Sequence, residues 1–186
     1  MRARPRVGLT PSGGRSTIRG AALRNPIPQP CRAMRLSQYL DPAFVVLRLA
    51  RTDVDGIVEE LAEKAEESGV ARAADVKEKL LERERQHPTV LGGGLAIPHA
   101  TVPEMEEPVI GVALAPEPIA FGGEEMDDVR AFFVLLSPPG YEREHVKLLA
   151  RICRLVRHEN FLDRLADADD EEAVMAVISA VDDQHV

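Results

Sequence analysis

The sequence predicts an α/β fold, a three-layer domain in which a mixed β-sheet is flanked by helices on both faces. Short apolar runs of strand length are interspersed with longer segments in which apolar residues recur at helical spacing. Hydrophobic residues make up 45% of the 186 residues and charged residues 29%. This is the composition of an ordinary globular domain with one substantial core.

From Met34 onward the sequence pattern becomes regular. Thr52 or Asp53 can cap the first helix, which ends at Gly69, and Asp169 or Asp170 can cap the last one. The turn at 137–140 separates the most apolar strand from the longest helix. The predicted strands lie at 44–49, 95–97, 109–114 and 129–136, and the helices after the first lie at 75–87, 141–158, 161–165 and 171–181.

The first 33 residues differ from the rest of the chain. They contain seven Arg and five Pro, no Lys, Asp or Glu, and no periodic apolar face. Such a segment buries too little surface to offset its ordering entropy, so we predict a disordered basic leader at 1–33 and one domain at 34–186. The leader is an organellar transit peptide, a basic tail, or upstream sequence before a true start at Met34, and we favour the last reading.

Charge and cysteine content exclude several classes of protein. The net charge is −8, and since the leader carries +7, residues 34–186 carry −15. So acidic a body argues against nucleic acid as a partner. No apolar run reaches the ~18 residues of a membrane span. Cys31 and Cys153 stand in no metal or redox spacing, and we interpret both as free thiols in a reducing, cytoplasmic compartment.

His99 ends the most unusual stretch of the chain. Gly92, Gly93 and Gly94 allow tight turns, a short apolar strand follows, and Pro98 then fixes the backbone directly before the histidine. This order presents an imidazole at the rim of a sheet on a constrained backbone, as a nucleophile or a ligand requires. From spacing alone, an ordinary loop histidine remains the alternative.

His145 and Arg83 are the other candidates. His145 lies in the first turn of the long helix, on its apolar stripe, where a neutral imidazole could donate a hydrogen bond to an anion. The alternative is a boundary histidine paired with Glu142 or Glu144. Arg83 leans toward the buried face of its helix and could hold phosphoryl oxygens, or it could be a solvated arginine in a charge-rich helix.

Several signatures do not occur in the sequence. It contains no Walker A loop, GxGxxG, GxSxG or HExxH motif, so we expect no cofactor. A metal-dependent hydrolase that used His99 and His145 as ligands would need a third ligand, which no motif supplies.

Two segments carry a resemblance to a known family. The first segment resembles, in order and spacing, the active-site signature of the type-2 enzyme IIA family of the phosphoenolpyruvate-dependent phosphotransferase system. It consists of the run 80–84 (Leu-Leu-Glu-Arg-Glu), the loop with Thr89 and the glycines, and the run 95–99 (Leu-Ala-Ile-Pro-His). The run 144–151 (Glu-His-Val-Lys-Leu-Leu-Ala-Arg) resembles the second motif of this family of fructose, mannitol and nitrogen-regulatory proteins. The resemblance covers about residues 35–181.

The resemblance implies a phosphotransferase component with catalytic residues His99, His145 and Arg83. His99 would accept phosphate from the histidine-containing phosphocarrier protein and pass it to an enzyme IIB, or the phosphate would serve as a regulatory signal. His145 would hydrogen-bond the phosphoryl oxygens and Arg83 would add positive charge. The alternative is a non-catalytic regulatory domain of the same fold that binds a partner.

Overall fold

The computed structural model describes residues 34–122 and 128–185, with the side chain of His185 excepted. The predicted leader at 1–33 lies outside these ranges. The strands are β1 Leu40–Val46, β2 Val90–Gly92, β3 Leu95–Ala96, β4 His99–Thr101, β5 Val109–Ala120 and β6 Asp128–Ser137. The helices are α1 Val54–Glu67, α2 Ala73–Gln86, α3 Glu142–Leu155, α4 Phe161–Ala166 and α5 Glu171–Asp182, with short 3₁₀ turns at Leu36–Gln38 and Asp183–His185.

The six strands form one mixed sheet in the order β1-β5-β6-β3-β2, and β4 also pairs with β6. β1 runs parallel to β5, β6 runs antiparallel to β5, and both β3 and β4 run parallel to β6. The mixed sheet is therefore as the sequence predicted. β3 and β4 both pair with β6, one after the other along the same side of that strand. The Ile97–Pro98 segment between them is therefore kept next to β6.

β6 is the centre of the fold, and its side chains alternate between two cores. Phe132, Val134 and Leu136 are buried beneath α1 and α2. Ala131, Phe133 and Leu135 are buried beneath α3, α4 and α5. A strand covered on both faces needs an uninterrupted apolar run, as residues 131–136 provide. The three-layer α/β arrangement with helices on both faces is therefore confirmed.

The helix caps settle two alternatives that the sequence left open. Asp53, rather than Thr52, accepts a hydrogen bond from the backbone N–H of Gly56 at 2.9 Å and caps α1. Asp170, rather than Asp169, accepts one from the N–H of Ala173 at 2.7 Å and caps α5. A carboxylate at this position satisfies an otherwise unpaired N–H and complements the helix dipole.

Two strand predictions differ from the structure at their ends. β1 covers Leu40–Val46 rather than 44–49: it already pairs with β5 at Leu40, and its pairing continues past a register shift to Val46. β5 extends past residue 114 to Ala120, with a register shift between Leu114 and Ile119. The pairing with β1 has ended before this part of β5. Pro116 and Pro118 have no backbone N–H to donate, and on that side of β5 no described strand requires one.

The two ends of the domain meet at a buried ion pair. Arg151 of α3 donates its Nε–H to the carboxylate of Asp182 at the end of α5, and its Nη2–H to the Asp182 carbonyl at 3.1 Å. The other Asp182 oxygen accepts the backbone N–H of Leu36 at 2.7 Å.

The described ranges hold no helix of the length and apolar character that a membrane span requires.

Candidate functional site

His99 opens β4, where that strand meets the carboxyl end of β6. The carbonyl of Pro98 accepts the backbone N–H of Leu135 at 3.0 Å, and His99 itself pairs with Leu135 in the ladder. The backbone before and at the histidine is thus tied to the central strand. The imidazole is half-buried, so its position is constrained while one side stays accessible.

The two ring nitrogens of His99 have different partners. Nδ1 lies 2.7 Å from the carbonyl oxygen of Ile97, which can only accept, so Nδ1 carries the proton. Nε2 lies 3.1 Å from Nε of Arg83, which can only donate. Nε2 therefore bears the lone pair, and the ring is neutral. A neutral imidazole with its free nitrogen facing a guanidinium is set up as a nucleophile toward an anionic group.

Arg83 reaches the site from the last turn of α2. Its Nη1 donates to the carbonyl of His87 at 2.8 Å, while its Nε donates to His99. These two hydrogen bonds hold the guanidinium beside His99. Three of its five N–H donors remain for an anion.

His145 approaches from the first turn of α3. Its Nδ1 lies 2.6 Å from the hydroxyl oxygen of Ser137, and its ring centroid lies 5.4 Å from that of His99. Neither glutamate of the predicted pairing is its partner here: Glu142 instead accepts the backbone N–H of Gly140 at 2.9 Å. With Nδ1 committed to Ser137, Nε2 is the nitrogen that His145 can offer to a ligand beside His99.

The three predicted site residues line one shallow, open depression of about 240 Å³. A larger cavity of about 580 Å³ lies around the start of β6 and α4 and contains none of them. The two histidines and the arginine converge in the smaller depression, which is open to solvent. Its lining consists of Lys79, Glu82, Arg83, Gln86, His99, Ala100, Thr101 and His145.

Both histidines are held neutral by their surroundings. Burial lowers the pKa of His99 below its ordinary value; Arg83 lowers it further, and the hydrogen bond to Ile97 and the charge of Glu84 partly oppose this. Burial, with repulsion from His99 and Arg83, lowers the pKa of His145 to about 4. With both histidines neutral, Arg83 is the charged group that contacts His99 directly.

These pKa shifts predict an acid-side loss of stability. Below pH 6.5 the unfolded chain protonates its histidines more readily than the folded one, so the free energy of unfolding should fall as the pH drops from 6.5 toward 4. Urea unfolding at several pH values measures this. The His145→Gln variant should show a shallower decline, and an equal slope in both proteins would contradict the assigned pKa of His145.

Sequence reasoning missed Ser137 as the hydrogen-bond partner of His145. Ser137 appeared only as the first residue of a turn, although it closes the buried strand eight residues before His145. A polar residue at the end of an apolar strand, just before a helix that carries a candidate histidine, was the available signal.

Across 34–122 and 128–185, no group of three His, Cys, Asp or Glu side chains is placed to hold a metal ion.

Comparisons with known proteins agree with the resemblance. The sequence profile described as phosphoenolpyruvate-dependent sugar phosphotransferase system, EIIA 2, matches residues 38–181. The chain is 33% identical over 147 residues to a nitrogen regulatory protein of Bradyrhizobium diazoefficiens, covering 78% of this chain and 95% of that one. It is 28% identical over 128 residues to a fructose-specific EIIA component of Haloferax volcanii, covering 68% and 83%.

The solved structures include the nitrogen regulatory protein IIA-Ntr of Neisseria meningitidis. It superimposes with a TM-score of 0.70 at 25% identity, covering 77% of this chain and 98% of that one. The profile match extends over most of the described domain and includes all three candidate residues, His99, His145 and Arg83. The chain therefore belongs to the EIIA 2 family of the phosphoenolpyruvate-dependent sugar phosphotransferase system.

Proposed function

We propose that this protein is a phosphocarrier that accepts a phosphoryl group on Nε2 of His99. The donor is the histidine-containing phosphocarrier protein, and the group passes on to an enzyme IIB or acts as a regulatory signal. The single observation that carries the proposal is the hydrogen bonding of the ring: Nδ1–H on the Ile97 carbonyl, and the Nε2 lone pair on Arg83. Membership of the EIIA 2 family supports it independently.

The transfer step requires no bound cofactor. The Nε2 lone pair forms a bond to phosphorus, the bond from phosphorus to the donor histidine breaks, and the donor nitrogen keeps that electron pair. The Nδ1 proton stays on His99, so the ring gains positive charge, which the carbonyl of Ile97 stabilises at 2.7 Å. Phosphoryl transfer depends chiefly on such alignment and on charge around the oxygens. In a second transfer of the same kind, the nucleophile of the next protein bonds to phosphorus, the Nε2–phosphorus bond breaks, and Nε2 regains its lone pair.

Arg83 and His145 have separate roles in this proposal. On arrival of the phosphoryl group, Arg83 turns its donors from Nε2 to the phosphoryl oxygens. If the Ser137 hydroxyl donates to Nδ1 of His145, Nε2 of that histidine carries a proton and donates to another oxygen. Before the phosphoryl group arrives, the pKa of His145 is lowered to about 4, so the donor that meets the group is a neutral imidazole.

The Arg83→Met variant should accept phosphate on the order of 10²-fold more slowly than the wild type. It keeps most of the side chain's length but removes the charged donors aimed at the transferring group. Arg83→Lys should recover only part of the rate, because an ammonium cannot hold both His99 and the His87 carbonyl. Rapid-quench phosphorylation by the radiolabelled carrier measures both. Equal rates in wild type and Arg83→Met would remove Arg83 from the proposed site.

Between transport and regulation, we favour a nitrogen-regulatory role. The relative at 33% identity bears that name, whereas the fructose-specific relative is 28% identical. No feature of the described domain selects a sugar, since the depression around His99 is open and lined largely by charged and polar side chains. In this reading the phosphorylation state of His99 reports phosphoenolpyruvate supply to a cytoplasmic partner protein.

The direct test is intact-mass analysis of the full chain after incubation with phosphoenolpyruvate, enzyme I and the histidine-containing phosphocarrier protein. We expect one acid-labile phosphoryl group per chain, located on the peptide that contains His99. Omitting enzyme I is the control and should abolish the label. A wild-type protein that stays unlabelled with a cognate carrier would overturn the proposal in favour of a non-catalytic regulatory domain.

A further inference from the structure

Glu84 is a buried carboxylate beside the site that the mechanism above does not use. It is 9% exposed and lies in the last turn of α2, next to Arg83. A negative charge at this end of a helix opposes the helix dipole, and burial of a carboxylate is costly unless donors surround it. A residue with two such disadvantages needs a compensating role.

Thr89 supplies the donors for this carboxylate. Its backbone N–H lies 3.0 Å from one oxygen of Glu84, and its hydroxyl lies 2.5 Å from the other. Gly122 leaves room for the same carboxylate: a Cβ there would lie 2.5 Å from an oxygen of Glu84, and the backbone has φ +73°. The carboxylate therefore has a fitted place, and it ties the 87–89 loop back to α2.

The loop that Glu84 holds supports the reactive residues through two branches. In one, the Thr89 carbonyl accepts the N–H of Ile97 at 2.9 Å, and the Ile97 carbonyl accepts Nδ1–H of His99 at 2.7 Å. In the other, the His87 carbonyl accepts Nη1–H of Arg83 at 2.8 Å. The positions of His99 and Arg83 thus both depend on the three-residue loop 87–89.

We propose that Glu84 is the positioning residue of the site: through Thr89 it sets the tautomer of His99 and the placement of Arg83. Its consequence for phosphoryl transfer rests on the proposed function, but its consequence for the His99 ring does not. The carboxylate acts through other residues and does not touch the phosphoryl group. Displacing reacting atoms by about 1 Å can slow an enzymatic step by about 10²-fold, so a loop that holds both groups matters to rate.

The charge of Glu84 adds a second effect. It raises the pKa of His99, which opposes the lowering by burial and by Arg83. A nucleophile gains reactivity with basicity, provided that it stays unprotonated at the working pH. The charge of Glu84 thus limits how far the pKa of His99 falls, while burial and Arg83 keep the ring unprotonated at neutral pH.

Four variants separate geometry from charge. Thr89→Val preserves shape but removes the hydroxyl donor, and Thr89→Ser restores it. Glu84→Gln can still accept the Thr89 N–H but lacks the charge, whereas Glu84→Ala loses both. Glu63→Gln, an exposed carboxylate on α1, is the matched control. Thermal unfolding identifies which variants fold.

The first readout is the ¹⁵N spectrum of the His99 ring in the unphosphorylated full chain. We expect Nδ1–H and unprotonated Nε2 in the wild type, Thr89→Ser, Glu84→Gln and Glu63→Gln. Of these four proteins, only Glu84→Gln should show a lower His99 pKa, because it lacks the charge of Glu84. Folded Thr89→Val and Glu84→Ala should show mixed tautomers. They should also accept phosphate at least about tenfold more slowly at saturating carrier, with little change in the apparent KM.

An unchanged His99 tautomer in folded Thr89→Val and Glu84→Ala would overturn the positioning role of Glu84. So would a Thr89→Ser variant as slow as Thr89→Val, since the hydroxyl would then not be the cause. The ring spectrum is measured without any phosphoryl donor. A wild type that accepts no phosphate would therefore contradict the phosphocarrier proposal. The comparison of His99 tautomers between variants would still decide the role of Glu84.

Discussion

The His99→Ala variant is expected to accept no phosphoryl group from the phosphorylated carrier under conditions that fully label the wild type. Nε2 of His99 is the nitrogen that combines a lone pair, a tied backbone and a neighbouring guanidinium. His145 is not expected to replace it, because its pKa of about 4 makes it a weakly basic nucleophile and its Nδ1 is bonded to Ser137. Intact-mass analysis at neutral pH, before the acid-labile bond hydrolyses, measures the label.

The matched control for this prediction is His158→Ala, which removes a histidine that does not line the site. It should be labelled at the wild-type rate. Circular dichroism should show both variants folded, since the half-buried His99 ring fills little of either core. A label retained by His99→Ala and located on another histidine would show that the acceptor was wrongly assigned, even if the protein is a phosphocarrier.

The Asp182→Ala variant should lose about 3–5 kcal/mol of unfolding free energy. Asp182 is 1% exposed, and its removal leaves the buried guanidinium of Arg151 without a counter-charge and the N–H of Leu36 without its acceptor. Losing one partner of a buried ion pair is far more damaging than replacing both, because the remaining charge stays desolvated. Urea titration at neutral pH measures the loss.

Asp183→Ala provides a control one residue away. Asp183 pairs with Arg35 at 2.6 Å, but both side chains are about half exposed, at 53% and 45%. Solvent screening limits such a pair to less than about 1 kcal/mol. If Asp182→Ala and Asp183→Ala cost the same, the buried connection between the start of the domain, α3 and α5 would not be the stabilising element that its burial indicates.

Local sequence signals were sufficient for the elements whose stability is local. α1, α3 and α5 combine apolar residues at helical spacing with clear boundaries, and each formed within a few residues of the predicted ends. The run 131–136 indicated a strand buried on both faces, and β6 is that strand. In these cases the residues that form the element also carry the pattern that identifies it.

The short strands could not be recognised in this way. β2 and β4 have three residues each, too few to show an alternating pattern; β2 pairs with the neighbouring β3, whereas β4 pairs with β6, far away in sequence. The beginning of β1 was missed for the same reason, since its pairing with β5 continues through an irregularity that includes a proline. A pairing partner outside a local window leaves no periodicity inside it.

By itself, the sequence determined the layered α/β fold, the family, and the three candidate residues His99, His145 and Arg83. Only the tertiary structure decided how these residues meet. Arg83 lies 16 residues before His99, yet their nitrogens are 3.1 Å apart, because α2 packs beside β4. The choice of Ser137 as the partner of His145, the proton on Nδ1 of His99, and the burial of Glu84 also depend on contacts between distant segments. Residue types and spacing encode which groups are present, whereas hydrogen-bond partners and desolvation, which set their protonation and reactivity, arise only when the chain has folded.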